Sequence, residues 1–585
     1  MNGIDSHGRL LACCLLTALV VCSGVILARD GEQATSVAPA PSRGGTLVVA
    51  LRAEPRTFNP ITALDAPSRE ILRPLHADLV RIDRLTSVPE PALAESFTVS
   101  SDGRQLTVAL RQGLRFSDGH ACTADDVVFS FQVYLDPTVG SPIRDLLVVG
   151  GAPVRVARID ERRVSFTFAA PYGPAERLFD SIPILPRHVV EPVYRAGRLS
   201  EAWGLASSAS LPGLGPFRLK EFVAGQYTLL ERNPYYWRRD AAGQRFPYLD
   251  RLVFRVVTNE DALVLRLKAR EIDLVGRVSP TQALGLESGG GAVRVVDAGP
   301  SLEFNFLLLN LNDPPAAAPV TVVARRRWFS DARFRNALST VFDRAAMVRL
   351  AYRGRAVPIP VPLSPASRPW FDERIPVPTR SVAQAKERLR AAGYSWTTQG
   401  SLVDAAGTPV QFTILVASGN VPRQAMASIA ADDLRRLGIR ATVVPLEFRS
   451  LVERVTQTFD FDAAVMGLAS GASDPAADMN VWLSTGTTHL WRMDQRSGPL
   501  PWEQEIDQLM ATQLAAPVQA DRKRAFDRVQ AIAARELPVI PLVSPHLLAA
   551  VRDRVSNVSP SVLDTSVLWN SEALFWRGGA PEGRR

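Results

Sequence analysis

The residues that could do chemistry are few and scattered. Six histidines stand at His7, His76, His120, His188, His489 and His546, with no HExxH motif and no pair at metal-ligand spacing. No metal site is expected from them. A GxSxG nucleophile elbow is absent, and the short glycine element Gly213-Leu214-Gly215 runs into Pro216 and a strand-like stretch. A phosphate loop would need a helix amino terminus at that point. Paired carboxylates occur at Asp125-Asp126 and Asp432-Asp433, but helical neighbours point to different faces, so both pairs read as caps or solvated groups. Three of the four cysteines lie in the first 30 residues, leaving Cys122 without a disulfide partner and best read as a small core residue. Trp482 and Trp491 read as core aromatics. What remains is FDFDAAVMGLASGASDP, residues 459–475, an apolar run that ends in glycines, small polar residues and Asp474. Catalytic residues, a metal and a cofactor are not expected; a ligand cradle over Gly467 to Asp474 is.

The elements that would position this cradle are legible on either side of it. Strands are expected over 411–416, 439–444 and 461–466, with helices over 422–437 and 449–458 between them. Such a β-α-β-α-β series implies a mostly parallel sheet covered by helices. Ligands of these sheets bind beyond the carboxyl ends of the strands, which is where Gly467 to Asp474 would leave the third one. Asp474 also has a second reading, as the residue before a proline that accepts backbone N–H bonds in a tight loop.

Earlier in the chain, SFTVSSDGRQLTVALRQGLRF alternates apolar and polar residues on both sides of Asp102-Gly103 and reads as a β-hairpin. It leads into a helix that Thr123 caps, with Asp126 at the capping-box position. Two strands flank Gly225. A capped amphipathic helix and a short strand follow from NEDALVLRLKAREIDLVG. No repeat of solenoid length is visible.

At 585 residues, 46% hydrophobic and 22% charged, the chain has material for several cores. Its net charge of +8 comes from 67 basic and 59 acidic residues; only four of the basic ones are lysine, and the arginines are scattered. Scattered charge is a solvated face, so no nucleic-acid partner is expected. Leu10 to Leu27 is almost wholly apolar between a short polar start and Arg29, the layout of a secretory signal cut after Ala28 or kept as an anchor. Cys22 adds the possibility of lipidation.

PALAESFTVSSDGRQLTVALRQGLRFSDGHACTADDVVFSFQVYLDP resembles the signature region of the family 5 extracellular solute-binding proteins of ABC importers, the oligopeptide- and dipeptide-binding group. GLGPFRLKEFVAGQYTLLERNPYYW, FPYLDRLVFRVV, DARFRNALSTVFDRAAMV, FDFDAAVMGLASGASDP and VLWNSEALFW follow in the family's order. The resemblance implies an α/β protein of the periplasmic-binding type, with two lobes that close about a hinge, an extra domain, and discontinuous segments. It places 1–28 as signal or anchor and 29–43 as linker. It assigns 44–85, 206–300 and 545–585 to lobe I, 86–205 to the extra domain and 301–544 to lobe III, with crossings near 301–309 and 538–548. It further implies a monomeric receptor that delivers a peptide or other small solute to a permease with its ATPases, touching the membrane only through its amino terminus or that permease. The ligand site would comprise Phe304, Asn305, Gly467, Leu468, Ala469, Ser470, Gly471, Ser473 and Asp474. Peptide-binding members of the family carry an aspartate for the peptide's amino group where this chain has Gly471. Acetylating a peptide is therefore expected to change its affinity less than about tenfold, unless Asp474 or another acid takes that role. Other solutes open to this fold are opines, nickel complexes, haem and oligosaccharides. An exported enzyme and a signalling or chaperone-like receptor are the readings outside import.

Overall fold

The computed structural model describes residues 41–205, 211–470, 473–563 and 567–584; the expected export segment 1–28 lies outside them. Among the described residues no helix is long and apolar enough to cross a membrane.

Three sheets organise the chain. The first has eight strands, in the order Phe217–Val223, Tyr227–Arg232, Arg251–Val256, Thr46–Leu51, Leu274–Val275, Val543–Arg552 and Val293–Pro300, with Ala356–Pro358 pairing the start of Val543–Arg552. Its central strand Thr46–Leu51 is buried on both faces, which is why TLVVAL reads as a continuous apolar run. Leu47, Val49 and Leu51 enter one core and Ala50 the core on the other side, the alternation that a strand's two-residue period dictates.

The second sheet, of four strands, is ordered Ala94–Val99, Gln105–Leu110, Arg163–Thr167 and Arg155–Arg158. The expected hairpin turns at Gly103, whose φ of +66° suits glycine. The helix Ala124–Leu135 begins with the Thr123–Asp126 capping box. It buries Phe131 against Phe166 and Phe179, with ring centroids 4.9 and 5.7 Å away. Cys122 is buried beside this core, and burial raises its thiol pKa, so it is a packing residue.

The third sheet runs Arg440–Leu446, Gln411–Ala417, Ala463–Ala469, Glu303–Leu309 and Val539–Pro541. Its first three strands are parallel, with helix Val421–Arg436 between the first pair in sequence and helix Phe448–Glu453 before the third. Glu303–Leu309 runs antiparallel to both of its neighbours, Ala463–Ala469 and Val539–Pro541, so the sheet is mixed. The chain passes from the eight-stranded to the five-stranded sheet between Pro300 and Glu303 and returns between Pro541 and Val543. The segment 301–544 also lends Ala356–Pro358 to the eight-stranded sheet.

The core of the four-stranded sheet gives a direct test. Phe131→Ala removes a fully buried ring and is expected to cost about 3–5 kcal/mol. A lower denaturant midpoint by circular dichroism is the predicted result; an unchanged midpoint would contradict this packing.

Candidate functional site

The strand Ala463–Ala469 lies in the middle of the five-stranded sheet, parallel to Gln411–Ala417 and antiparallel to Glu303–Leu309. Its register opposes Ala469 to Glu303, Leu468 to Phe304 and Gly467 to Asn305. Gly467, Leu468 and Ala469 are therefore ladder residues and not loop, a correction to the sequence reading. Pairing with Glu303–Asn305 satisfies their backbone and carries the strand beyond its apolar run. Ser470 then leaves the ladder, while Gly471 lies outside the described residues.

A cavity of about 220 Å³ opens where this strand ends. Phe304, Leu468, Ala469, Ser470, Asp478 and Trp482 contribute to its wall. The volume is below the roughly 300–1,000 Å³ of whole-ligand pockets, so it suits one terminal group of a larger solute. Asp478 closes a 3-10 turn, Pro475–Asp478, and is half-buried. Ser470 Oγ donates to both of its carboxylate oxygens, at 2.9 and 2.8 Å. Burial pushes its pKa up to about 6; the Ser470 bond opposes that shift and the nearby charge of Asp474 adds to it. Among the described residues no cation pairs with it. The cavity thus presents a desolvated carboxylate, which favours a cationic partner.

Beneath the cavity lies a charged network. Arg423, in the first turn of Val421–Arg436, donates to Asn305 Oδ1 at 2.8 Å and to Glu303 Oε1 at 3.1 Å. A Cβ on Gly467 would lie 2.3 Å from an Arg423 nitrogen and 2.7 Å from Asn305 Oδ1, so a side chain there would displace the Arg423 guanidinium from this network. Asn305 is fully buried and its Nδ2 donates to the Tyr352 hydroxyl at 3.2 Å. Arg277, from the loop after Leu274–Val275 of the eight-stranded sheet, donates to the other oxygen of Glu303 at 2.9 Å. Glu303 therefore ties the two sheets together beside the cavity.

Asp474 has a different fate. Its carboxylate is buried and takes both guanidinium nitrogens of Arg522, at 2.9 and 2.6 Å. Arg177, which follows the four-stranded sheet, stands 3.4 Å away, and Ala476 N–H donates to the same carboxylate at 3.0 Å. Nearby, Gly173 N–H donates to Leu514 O at 2.8 Å, and a Cβ on Gly173 would lie 2.2 Å from Ala516 O. Asp474 thus fastens the four-stranded module to the helices of the five-stranded one and takes the tight-loop reading. Ser473 is buried, and its Oγ has no partner among the described residues. Trp491 is core, donating to Glu503 at 3.2 Å.

Phe304, Leu468, Ala469 and Ser470 of the expected site meet at the cavity. Asn305 and Gly467 sit below it, and Asp474 is committed elsewhere. The sequence reading missed Asp478, Glu303 and Arg423. A signal for Asp478 was present in its spacing of four residues from Asp474, while the partners of Glu303 are distant in sequence.

Residues 88–489 match the family described as bacterial extracellular solute-binding proteins, family 5. The chain is 26% identical over 554 residues to the oligopeptide-binding protein AppA of Bacillus subtilis, covering 92% of this chain and 94% of that one. It is 25% identical over 536 residues to a probable ABC transporter-binding protein of Deinococcus radiodurans, covering 88% and 89%. Among solved structures, the substrate-binding protein CtaP of Listeria monocytogenes superposes with a TM-score of 0.74 at 22% identity, covering 92% of this chain and 100% of that one. AppA of B. subtilis in complex with a nonapeptide gives 0.65 at 24% identity, covering 92% and 99%. These two solved structures share this chain's overall fold. The chain belongs to the family 5 bacterial extracellular solute-binding proteins.

Proposed function

We propose that this chain is the extracytoplasmic receptor of an ABC importer and captures peptides, with Asp478 receiving the peptide's α-ammonium group. The observation that carries the reading is a desolvated carboxylate, unpaired with any cation among the described residues, in a cavity sized for a terminal group. The names of several relatives support it, among them AppA and a di/tripeptide-binding protein of Pseudomonas aeruginosa, 24% identical over 529 residues. Lobe I is built on the eight-stranded sheet, the extra domain on the four-stranded one and lobe III on the five-stranded one. Export uses the apolar run at Leu10 to Leu27, cut or kept as an anchor. The partners are a permease and its ATPases.

The physical logic is differential binding. A solute that touches both lobes only when they close shifts the open–closed equilibrium by its extra affinity for the closed form. The peptide's remaining N–H and C=O groups need partners once water leaves, and small residues such as Ala469 and Ser470 let main chain approach main chain. No bond is made or broken in this cycle.

A bound peptide should raise the melting temperature and compact the protein in small-angle scattering. Tight binding without compaction would rule out closure.

The amine anchor is tested by calorimetric titration of matched free and acetylated peptides. Acetylation is expected to weaken binding by more than about tenfold in the wild type, ~1.4 kcal/mol, and to have little effect in Asp478→Asn. A penalty that persists in Asp478→Asn would place the anchor elsewhere. Pairing with an ammonium depresses the carboxyl's pKa, so binding releases a proton. Affinity for the free-amine peptide should therefore climb as pH rises through about 6 and hold until the amine deprotonates near about 8.

Asp474→Asn is expected to act on stability instead. It leaves the buried Arg522 unpaired, at a cost of about 3–5 kcal/mol, readable as a lower unfolding midpoint. A variant of wild-type stability with lost peptide binding would reverse the two roles.

A further inference from the structure

The sequence spacing of the histidines gives no metal site, yet the fold brings two of them onto one aspartate. We propose that Asp118, His120 and His188 form a surface site for a divalent transition-metal ion of the zinc, nickel and copper class, apart from the solute cavity. Their donor atoms all lie within 4.8 Å of one another. His188 Nε2 is 2.7 Å from Asp118 Oδ2, and His120 Nδ1 is 3.4 Å from the same oxygen. The two imidazoles stack with centroids 3.8 Å apart. Zinc bonds of about 2.0–2.1 Å in tetrahedral geometry set donors roughly 3.3 Å apart; the His120–Asp118 separation matches this, and the 2.7 Å His188–Asp118 contact is a hydrogen bond that an ion would replace with a slight widening. The third lies within 4.8 Å, and His120, whose side chain is 63% exposed, has room to reorient.

The backbone beneath these donors is fixed. Asp118 Oδ1 accepts from His120 N–H at 3.0 Å, and Gly119 between them has a φ of +95°. Phe116 N–H donates to His120 O, and Ser117 N–H donates to Gly213 O, both at 2.9 Å. His188 sits in the first turn of helix Arg187–Arg195, whose start is held by Arg187 N–H donating to Asp126 Oδ1 at 3.1 Å. The donors are thus positioned by loop and helix while they face solvent. An ion would require the side chains to reorient, opening the ring stack and replacing the His188–Asp118 hydrogen bond, while the backbone stays in place.

The donor set selects the ion. Two imidazole nitrogens and one carboxylate suit zinc, nickel and copper, whereas magnesium and calcium prefer all-oxygen sets. Three protein ligands leave at least one coordination position for water or an outside ligand.

The test uses the full chain purified without a histidine tag, stripped with chelator and titrated with Zn²⁺ by calorimetry. One ion per chain is expected, with Mg²⁺ giving no comparable heat. His120→Ala, His188→Ala and the shape-conserving Asp118→Asn should each weaken Zn²⁺ binding by about tenfold or more, with melting curves confirming that each variant folds. With Cu²⁺, electron paramagnetic resonance should show coupling to two imidazole nitrogens, reduced to one in either histidine variant. Absence of Zn²⁺ binding by the wild type, or binding unchanged in the His120→Ala/His188→Ala double variant, would overturn the proposal.

Discussion

The pairing of Glu303–Leu309 with Ala463–Ala469 is the constraint on which the rest depends. Glu303–Leu309 is the first strand after the chain leaves the eight-stranded sheet, and all but Glu303 of it is buried. A slip of one residue would turn Phe304 and Phe306 away from their core and Leu307 into the opposite face, so burial specifies the register strongly. That register then places Gly467 opposite Asn305 and Ala469 opposite Glu303. The Arg423 network needs the first of these pairs, because any side chain at 467 would occupy the guanidinium's position. The cavity needs the second, because it sets where the ladder stops and Ser470 turns towards Asp478. One hydrophobic choice of register thus decides the location of both a charged network and the cavity beside it.

Two aspartates four residues apart show how burial and partners divide the work of one loop. Asp474 is surrounded by donors, with Arg522 bidentate and Arg177 close by, so its charge is compensated and its lone pairs are occupied. Arg522 is held in turn, donating to Gln513 O and lying 4.7 Å from the Trp370 ring centroid. Among the described residues Asp478 receives a serine hydroxyl and no cation, and burial pushes it towards the protonated form. The first arrangement stabilises a contact between modules. The second leaves a half-buried carboxylate in the wall of the cavity.

Much of the fold was legible because local rules agreed. The Asp102-Gly103 turn, the Thr123–Asp126 box and the parallel series from Gln411 to Ala469 each combine a period, a cap and a turn residue within a short window. The reading failed where the deciding partner is far away in sequence. The strand's extension through Gly467 to Ala469 depends on a ladder formed with residues more than 150 positions earlier. Asp474 gave no sign of Arg522, 48 residues on. His120 and His188 looked dispersed because helix Ala124–Leu135 and four strands separate them, and the packing of helix Arg187–Arg195 on that module brings them together. The resemblance to the family supplied the overall architecture but placed the acid of the loop at a position this chain fills with glycine.

The two passages between sheets show how a backbone can leave one ladder for another without leaving buried polar groups unpaired. Ser301 and Glu303 flank the outgoing passage, and Ser544 follows the returning one. Ser544 Oγ reaches Ser301 O at 3.1 Å and Glu303 O at 2.7 Å, while Ser364 Oγ also donates to Ser301 O and lies 3.0 Å from Ser544 Oγ. These hydroxyls stand in for ladder bonds that the change of sheet interrupts, and all three serines are buried. A hydroxyl can rotate about its C–O bond and exchange one carbonyl for another with little loss, which a strand-to-strand N–H bond cannot do. Side-chain bonding at these crossings therefore satisfies the backbone where the chain changes sheet.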